Sequence, residues 1–370
     1  MKIRITNGMF VAILINMVYA KAIGVTQGMI AREIGQDMWL ATSFATLQGV
    51  GMIYIGYLVL KKTPNMDFVE LGSAALGRWF GIVVSLVLVV FFFGAFGSVM
   101  LTFVYHMRDY FLPEMPLFMF VIAALGIGLY GAFYGLEVMA RMAFAGVFFI
   151  LLLNGLIILG SFHQIDLENL RPVAESGLPR ILWASRHGDT DWAMATMVAG
   201  MILPFVKHPE VRGRAGMAGI ALGGVMVALW PILETGVLSS EVTKEYIIAC
   251  MKLARSAHIG HFIQRYEMIM VAFFSVSSIL QMMMCLFAAS LAVSKAVGLK
   301  DYRPMLLPVG LALGGFAYWA VDDHLRALEL LDLWPYLALP IAVGLPTVLL
   351  AARWLAKNKI KKAAAAAPPS

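Results

Sequence analysis

The sequence predicts an all-α integral membrane protein of ten transmembrane helices, arranged as two inverted five-helix repeats. Three observations predict it. Apolar residues make up 61% of the 370 residues and charged residues only 14%, and the mean hydropathy is +0.83. An average soluble domain is nearer about half apolar and a quarter charged. The apolar residues gather in ten runs that meet the roughly 20 residues a helix needs to cross a bilayer. Two connecting segments five spans apart share one pattern. This composition excludes a soluble enzyme, a disordered chain and a nucleic-acid-binding protein.

The spans follow in order. The first covers 7–30. It begins directly after Lys2 and Arg4, and its apolar run passes every small-residue cleavage site, so a span is expected rather than a removable signal peptide. The second is 38–60, the third 79–105, the fourth 116–134 and the fifth 138–161. The sixth is 190–206, the seventh 213–238, the eighth 263–297, the ninth 304–321 and the tenth 333–356. Strands of a membrane barrel would be shorter and would alternate. The organisation expected is one transmembrane domain over 1–356, with repeat one at about 7–161 and repeat two at about 190–356. The remainder, 357–370, is a basic, Ala/Pro-rich tail.

Charge by location orients the chain. The side that holds the N-terminus, three even-numbered connections, the turn at 137–141 and the tail carries 17 Lys and Arg against five acids. The other side carries ten Lys and Arg against 17 acids. The positive-inside rule then puts both termini in the cytoplasm. The basic tail is expected to meet anionic lipid headgroups.

The connection between spans two and three, from Met66 to Gly77, repeats apolar residues at helical spacing and reads as a short surface helix. Its counterpart at 241–258 lies between spans seven and eight. The first ends Leu76-Gly77-Arg78-Trp79-Phe80 and the second Ile259-Gly260-His261-Phe262-Ile263. One is inside and one outside, as an inverted repeat requires. The plainer reading is two unrelated amphipathic connectors. With a repeat, the binding site is expected near the midplane between spans one and six, both broken there.

Span one carries Lys21 about 14 residues in, among Ala20, Ala22, Ile23 and Gly24. A lysine at the bilayer centre costs about 2.5–3.5 kcal/mol on insertion scales. It should face a polar cavity or a carboxylate; the alternative is that it snorkels to an interface. In span six the matching stretch is Ala195, Thr196, Met197 and Gly200, with Pro204 weakening the second half. Ser275, Ser277 and Ser278 in span eight could contribute to a cation site or simply bond between helices, and the packing reading is preferred. Glu137 and Arg141 have the spacing of an interfacial ion pair. Arg265 and Glu267 at the start of span eight are assigned the same structural role. Cys250 and Cys285 make no disulfide framework, and His258 with His261 completes no metal set. Asp322, Asp323, Glu329 and Asp332 read as a solvated outer loop. No phosphate loop, nucleophile elbow or pocketed acid–base pair is present, so no enzyme, cofactor or metal is expected.

Several stretches together resemble a family. They are Gly35-Gln36-Asp37-Met38-Trp39, Leu76-Gly77-Arg78-Trp79, and the turn from Gly135 to Arg141. Asn169-Leu170-Arg171-Pro172-Val173, Gly177-Leu178-Pro179-Arg180-Ile181, Leu203-Pro204-Phe205, Gln264-Arg265-Tyr266-Glu267 and the run from Gly298 to Arg303 follow in order. Over nearly the whole chain this resembles the B subunit of spore germinant receptors, of the amino acid–polyamine–organocation superfamily. The resemblance implies a leucine-transporter-like fold with helices one and six broken. It implies sensing of a small germinant, such as an amino acid, in the spore inner membrane, with receptor A and C subunits as partners. Two departures stand out. The family's Gly-x-Gly in span one is Ala20-Lys21-Ala22 here, and its Gly-Phe-Glu in span six is Ala195-Thr196-Met197. A cation is gained and an acid lost, which favours an anionic ligand paired with Lys21. The competing functions are a secondary transporter of amino acids or organic acids and a non-binding scaffold.

Overall fold

The computed structural model describes residues 4–259 and 266–357. The described residues hold fifteen α-helices. Thr6 caps α1 (Asn7–Tyr19) by accepting the Met9 N–H at 3.2 Å. The helix tightens into a 3-10 turn at Ala20–Ala22, leaves helical geometry at Ile23, and resumes as α2 (Thr26–Ile34). Gln27 donates to the Lys21 carbonyl at 3.0 Å, satisfying an oxygen that the interruption frees.

Next come α3 (Met38–Leu60) and the short α4 (Phe68–Leu76), which opens on a reciprocal cap between Asp67 and Glu70. Then follow α5 (Arg78–Tyr110), α6 (Leu117–Tyr134) and α7 (Leu136–Ser161). Gly77 turns α4 into α5 and Gly135 turns α6 into α7, at φ of +97 and +96. A side chain would strain either turn.

The second half contains α8 (Leu178–Ala184), α9 (Arg186–Ile202), α10 (Arg212–Leu238), α11 (Ser240–Glu245) and α12 (Ala249–Ser256). It closes with α13 (Tyr266–Val297), α14 (Arg303–Asp322) and α15 (His324–Leu355). Among the described residues, eight helical segments are long and apolar enough to cross a membrane. The shorter α1 and α9 have 13 and 17 residues.

Several boundaries differ from the sequence reading. The outer segment 241–258 holds two short helices rather than one, because the chain leaves helical geometry at Tyr246 and Ile248. α15 starts at His324, where Asp323 caps it by accepting the Arg326 N–H at 2.9 Å. That bond holds the Asp323 carboxyl below its usual range. Glu329 and Asp332 therefore lie on the helix and not in a loop. Residues 195–200 continue helically within α9, and α8 joins α9 through Ser185, whose own dihedrals stay helical at φ −59 and ψ −22. Arg265, the segment 260–265 and the tail beyond 357 lie outside the described residues.

α1 and α9 form the centre. Every residue of α9 from His187 to Ile202 is buried. α1 packs on α7, α9, α10 and α13. Glycines of α10 allow this: a Cβ at Gly223 would lie 2.3 Å from the Val18 side chain, and one at Gly219 2.9 Å from Leu14. Close approach over small residues is how membrane helices gain packing energy without a hydrophobic drive. The outer faces carry an apolar belt that includes Val83, Leu86 and Val90 of α5, Phe144 and Phe148 of α7 and Leu307 and Leu311 of α14.

Polar bonds tie both ends of the bundle. At the end holding the N-terminus, Ile5 pairs with the segment after α9. Its N–H donates to Phe205 O and its carbonyl accepts from Lys207 N, both at 2.9 Å. Nearby, Arg212 donates to the Val206 and Pro64 carbonyls, and Arg353 to those of Leu58 and Val59. Lys295 of α13 meets Asp67 and, at 2.7 Å, Glu70. At the opposite end the buried Asp37 carboxylate accepts the N–H groups of Ala174 at 2.6 Å and Ser176 at 2.9 Å.

Candidate functional site

The interruption after α1 places Lys21 inside the bundle, facing α9. Its ammonium lies 3.2 Å from Asp191 Oδ1 and donates to Thr190 Oγ1 at 2.8 Å. Gln281 of α13 donates to the other Asp191 oxygen at 3.1 Å and also to the Met17 carbonyl. Both side chains of the ion pair are nearly sealed, at 15% and 11% exposure. Lys21 therefore has a carboxylate partner, one of the two environments its position demands. The anion facing it belongs to the chain itself. Asp191 stands six residues before Met197 on the same helix, so α9 does bring an acid to the interruption of the first span.

This pair borders a cavity of about 40 Å³. Its walls are Ala20, Lys21, Gly24 and Met29 from the first span, Ser98 and Thr102 from α5, and His187, Thr190 and Asp191 from α9. Phe274, Ser278 and Gln281 of α13 and Leu331 and Trp334 of α15 complete it. The volume holds roughly three waters. Above it, Glu33 of α2 takes a two-pronged bond from Arg186 at 2.6 and 2.8 Å, and His187 Nε2 lies 2.8 Å from Glu33 Oε1. Asp189 faces the Gln48 amide of α3. These contacts join α2 to the start of α9 beside the cavity, where His187 forms part of its wall.

Ala20, Lys21, Gly24 and Ser278 line the cavity, whereas Ala22 and Ile23 do not. Ala195, Thr196, Met197 and Gly200 are buried but stand apart from it. Gly200 lies under the Phe68 ring of α4, and Thr196 faces Gly56 of α3. Ser277 donates to Asn16 Oδ1 at 3.1 Å, the packing role preferred for it. Ser278 Oγ is buried at the cavity without a hydrogen-bond partner among the described residues. Glu137 and Arg141 pair at 2.7 Å on the exposed first turn of α7, remote from the cavity. Glu267 is buried in the first turn of α13. Among the described residues, no group of three or more His, Cys, Asp or Glu could hold a metal ion.

The arrangement offers one positive group, one negative group and several hydroxyl and amide groups around a small space. It suits a compact solute that hydrogen-bonds and carries complementary charges.

Comparison with known proteins locates the chain among relatives. A family model described as "Spore germination protein" matches residues 4–319. The chain belongs to the spore germination protein family. The resemblance read from the sequence motifs is thereby borne out. Relatives of this family include spore germination protein YndE of Bacillus subtilis (strain 168), 26% identical over 317 residues, 83% of this chain and 85% of that one. Spore germination protein KB of the same organism is 22% identical over 346 residues, 88% and 89% of the two chains. Among solved structures, the nucleobase-cation-symport-1 family transporter Mhp1, closed with bromovinylhydantoin bound, aligns with a TM-score of 0.69. It is 12% identical and the match covers 96% of this chain and 79% of that one. MhsT in complex with L-phenylalanine gives 0.65 at 11% identity, covering 94% and 88%. At this identity the likeness shows a shared all-helical fold.

Proposed function

We propose that this spore germination protein is the membrane subunit of a germinant receptor, and that it binds its germinant between α1, α5, α9, α13 and α15. The observation that carries the reading is the Lys21–Asp191 pair at the interruption of the first span, beside a small cavity with polar groups in its wall. In this reading α1 with α2, and α8 with α9, are the first and sixth of ten crossings. They occupy corresponding places in two inverted five-helix repeats, the first of them interrupted at 20–25. Both termini lie on the cytoplasmic side of the spore inner membrane, and A and C subunits receive the signal.

The favoured ligand is an amino acid or a related solute. Its amino group replaces the Lys21 contact on Asp191, and its carboxylate takes the Lys21 ammonium. One ion pair of 3.2 Å thus opens to admit another of opposite sense. Ala20, Gly24 and Thr190 make the remaining contacts. Ala22 and Ile23 shape the break, while Ala195, Thr196, Met197 and Gly200 form the packed base beneath it. Ligand binding favours the packing in which the pair is separated, and the populations shift accordingly.

The alternative is secondary transport of the same solutes. It is favoured by the fold shared with symporters and by a lysine that replaces a mobile cation with a tethered one. Spores lacking this chain should lose response to one class of solute in a panel of amino acids, sugars and nucleosides. Reconstituted vesicles should then show no gradient-driven uptake of that solute. Unchanged germination across the panel would overturn the receptor reading, and uptake would establish the transporter.

A further inference from the structure

α10 carries a carboxyl that no contact in this packing of the bundle satisfies. Glu234 is 0% exposed, and neither of its side-chain oxygens has a hydrogen-bond partner among the described residues. Other buried acids differ. Asp37 accepts two backbone N–H groups, Asp67 meets Lys295, Asp191 meets Lys21, and Asp189 faces the Gln48 amide. Thr235, next along the helix, also buries a hydroxyl without a partner among the described residues. Orphaned polar groups are rare in folded proteins, because each forfeits its bonds to water. Two in succession point to a second packing in which water reaches them.

Glu234 stands beside the interruption of the first span. Trp230, one turn earlier, donates to the Tyr19 hydroxyl at 3.2 Å, and α10 packs on the turn at Ala20–Ala22. Cys250 of α12 lies within electrostatic reach of the Glu234 carboxyl, and its sulfur accepts from the Gly24 N–H. Gly24 also lines the cavity at Lys21, so one interruption borders both places.

No charged group among the described residues offsets a negative charge on Glu234. Of the elements packed on α10, α1 brings Tyr19, whose hydroxyl donates to Asn154 at 2.7 Å. The interruption brings Lys21, held by Asp191. α11 brings Glu241 and Lys244, paired with each other, and the exposed Glu245. α12 brings Cys250, and Lys252 and Arg255, which lie over the Tyr246 and Tyr110 rings. Asp166 and Glu168, after α7, are exposed. Tyr57 of α3 lies against Gly213 in the first turn of α10 with Tyr54 beside it, and Glu137 and Arg141 of α7 pair with each other. An ionised carboxylate here would lose its hydration with nothing in return, so the group is held as a neutral acid.

We propose that Glu234 is a proton-binding site linked to opening of the bundle at this interruption. In the closed packing it holds a proton. When the bundle opens there, water enters, the carboxyl O–H bond breaks, the proton passes to that water and the carboxylate stays hydrated. The open packing therefore carries one proton fewer, and rising pH favours it. A solute that holds the bundle open expels that proton, whichever solute it is.

The test needs no germinant. Cys285→Ala leaves Cys250 as the only thiol, and its burial makes it a reporter of water beside Glu234. The full chain in lipid nanodiscs is treated with methyl methanethiosulfonate at a series of pH values below the ordinary thiol range. Thiolate formation alone raises the rate about tenfold per pH unit. Opening linked to loss of one proton adds a second such factor, so the rate should rise about a hundredfold per unit. Glu234→Gln keeps the shape of the neutral acid with no proton to lose and should return the rise to about tenfold. Infrared spectra of the same two chains read the closed state directly: the carbonyl band of a protonated carboxyl should be present and should disappear in Glu234→Gln. If that variant fails to fold, the wild-type slope decides. A tenfold rise in the wild type would overturn the linkage. A hundredfold rise in both chains would assign the proton to another group and overturn the proposal. A tenfold rise that sodium chloride slows and choline chloride does not would assign Glu234 to a metal cation. Each of these outcomes leaves the reading of Lys21 and Asp191 untouched, since no solute is present.

Discussion

The Lys21–Asp191 pair makes a sharp energetic prediction. Asp191→Asn keeps the shape and a partner for Gln281 but removes the charge opposite Lys21. At 3.2 Å and an effective dielectric near 20, the lost attraction is about 5 kcal/mol. The ammonium retains Thr190 Oγ1 at 2.8 Å but stays almost sealed from water. Breaking one side of such a pair destabilises by about 3–5 kcal/mol, because the remaining charge is left uncompensated. Replacing both sides, as Lys21→Met with Asp191→Leu, removes that charge and should recover most of the loss. The assay is chemical denaturation of the purified chain in one detergent, for wild type, both single variants and the double variant. Ligand response should vanish in all three variants, so stability and function separate cleanly in the double one. A double variant as unstable as the sum of the singles would refute the argument, since it would mean that the two charges do not compensate each other.

Three further outcomes are expected. Gly200→Ala puts a methyl 2.1 Å from the Phe68 ring, so it should destabilise by about 1–3 kcal/mol while the germinant concentration for half response stays the same. A change in ligand preference would return Gly200 to the binding site. Glu33→Gln weakens the contact with Arg186 and His187 beside the cavity, and a cysteine placed at Met29 should then react faster with a membrane-impermeant thiol reagent. Equal rates would show that another contact closes that side. Lys295→Met strands the buried Asp67 and its neighbour Glu70, at a cost of about 3–5 kcal/mol. Restoration of the melting point by the added change Asp67→Asn would support this, and its failure would count against it.

Much of the bundle was legible in the sequence, because a bilayer crossing is written in hydropathy. The short α4 was legible for a different reason: its apolar positions and the Asp67–Glu70 cap share one helical phase. Lys21 was legible as an anomaly, since an intramembrane cation demands a partner. Its partner was not. Arg186-His187-Gly188-Asp189 is polar enough to read as a loop, so hydropathy places the start of the sixth span at 190 and its small-residue stretch at 195–200. In the fold, α9 begins at Arg186 and every residue from His187 onward is buried. Polar residues are tolerated there because Glu33, Gln48, Lys21 and Gln281 come from other helices to meet them. That compensation is tertiary and leaves no trace in local hydropathy. One signal was available: Lys21 required an acid at similar depth, and Asp191 is one of three acids inside the spans, with Glu234 and Glu267. The start of α15 was hidden in the same way, by Glu329 and Asp332 on its exposed first turns.

Ile5 and Val206 make α1 and α9 two rods pinned at one end, like the blades of scissors. The pin is itself buried, since Ile5 is 0% exposed. From there to Lys21 the chain climbs about 24 Å at helical rise. Separating the blades by about 2 Å at the ion pair then needs a rotation of about 5° at the pin, an amount that two backbone hydrogen bonds absorb without breaking.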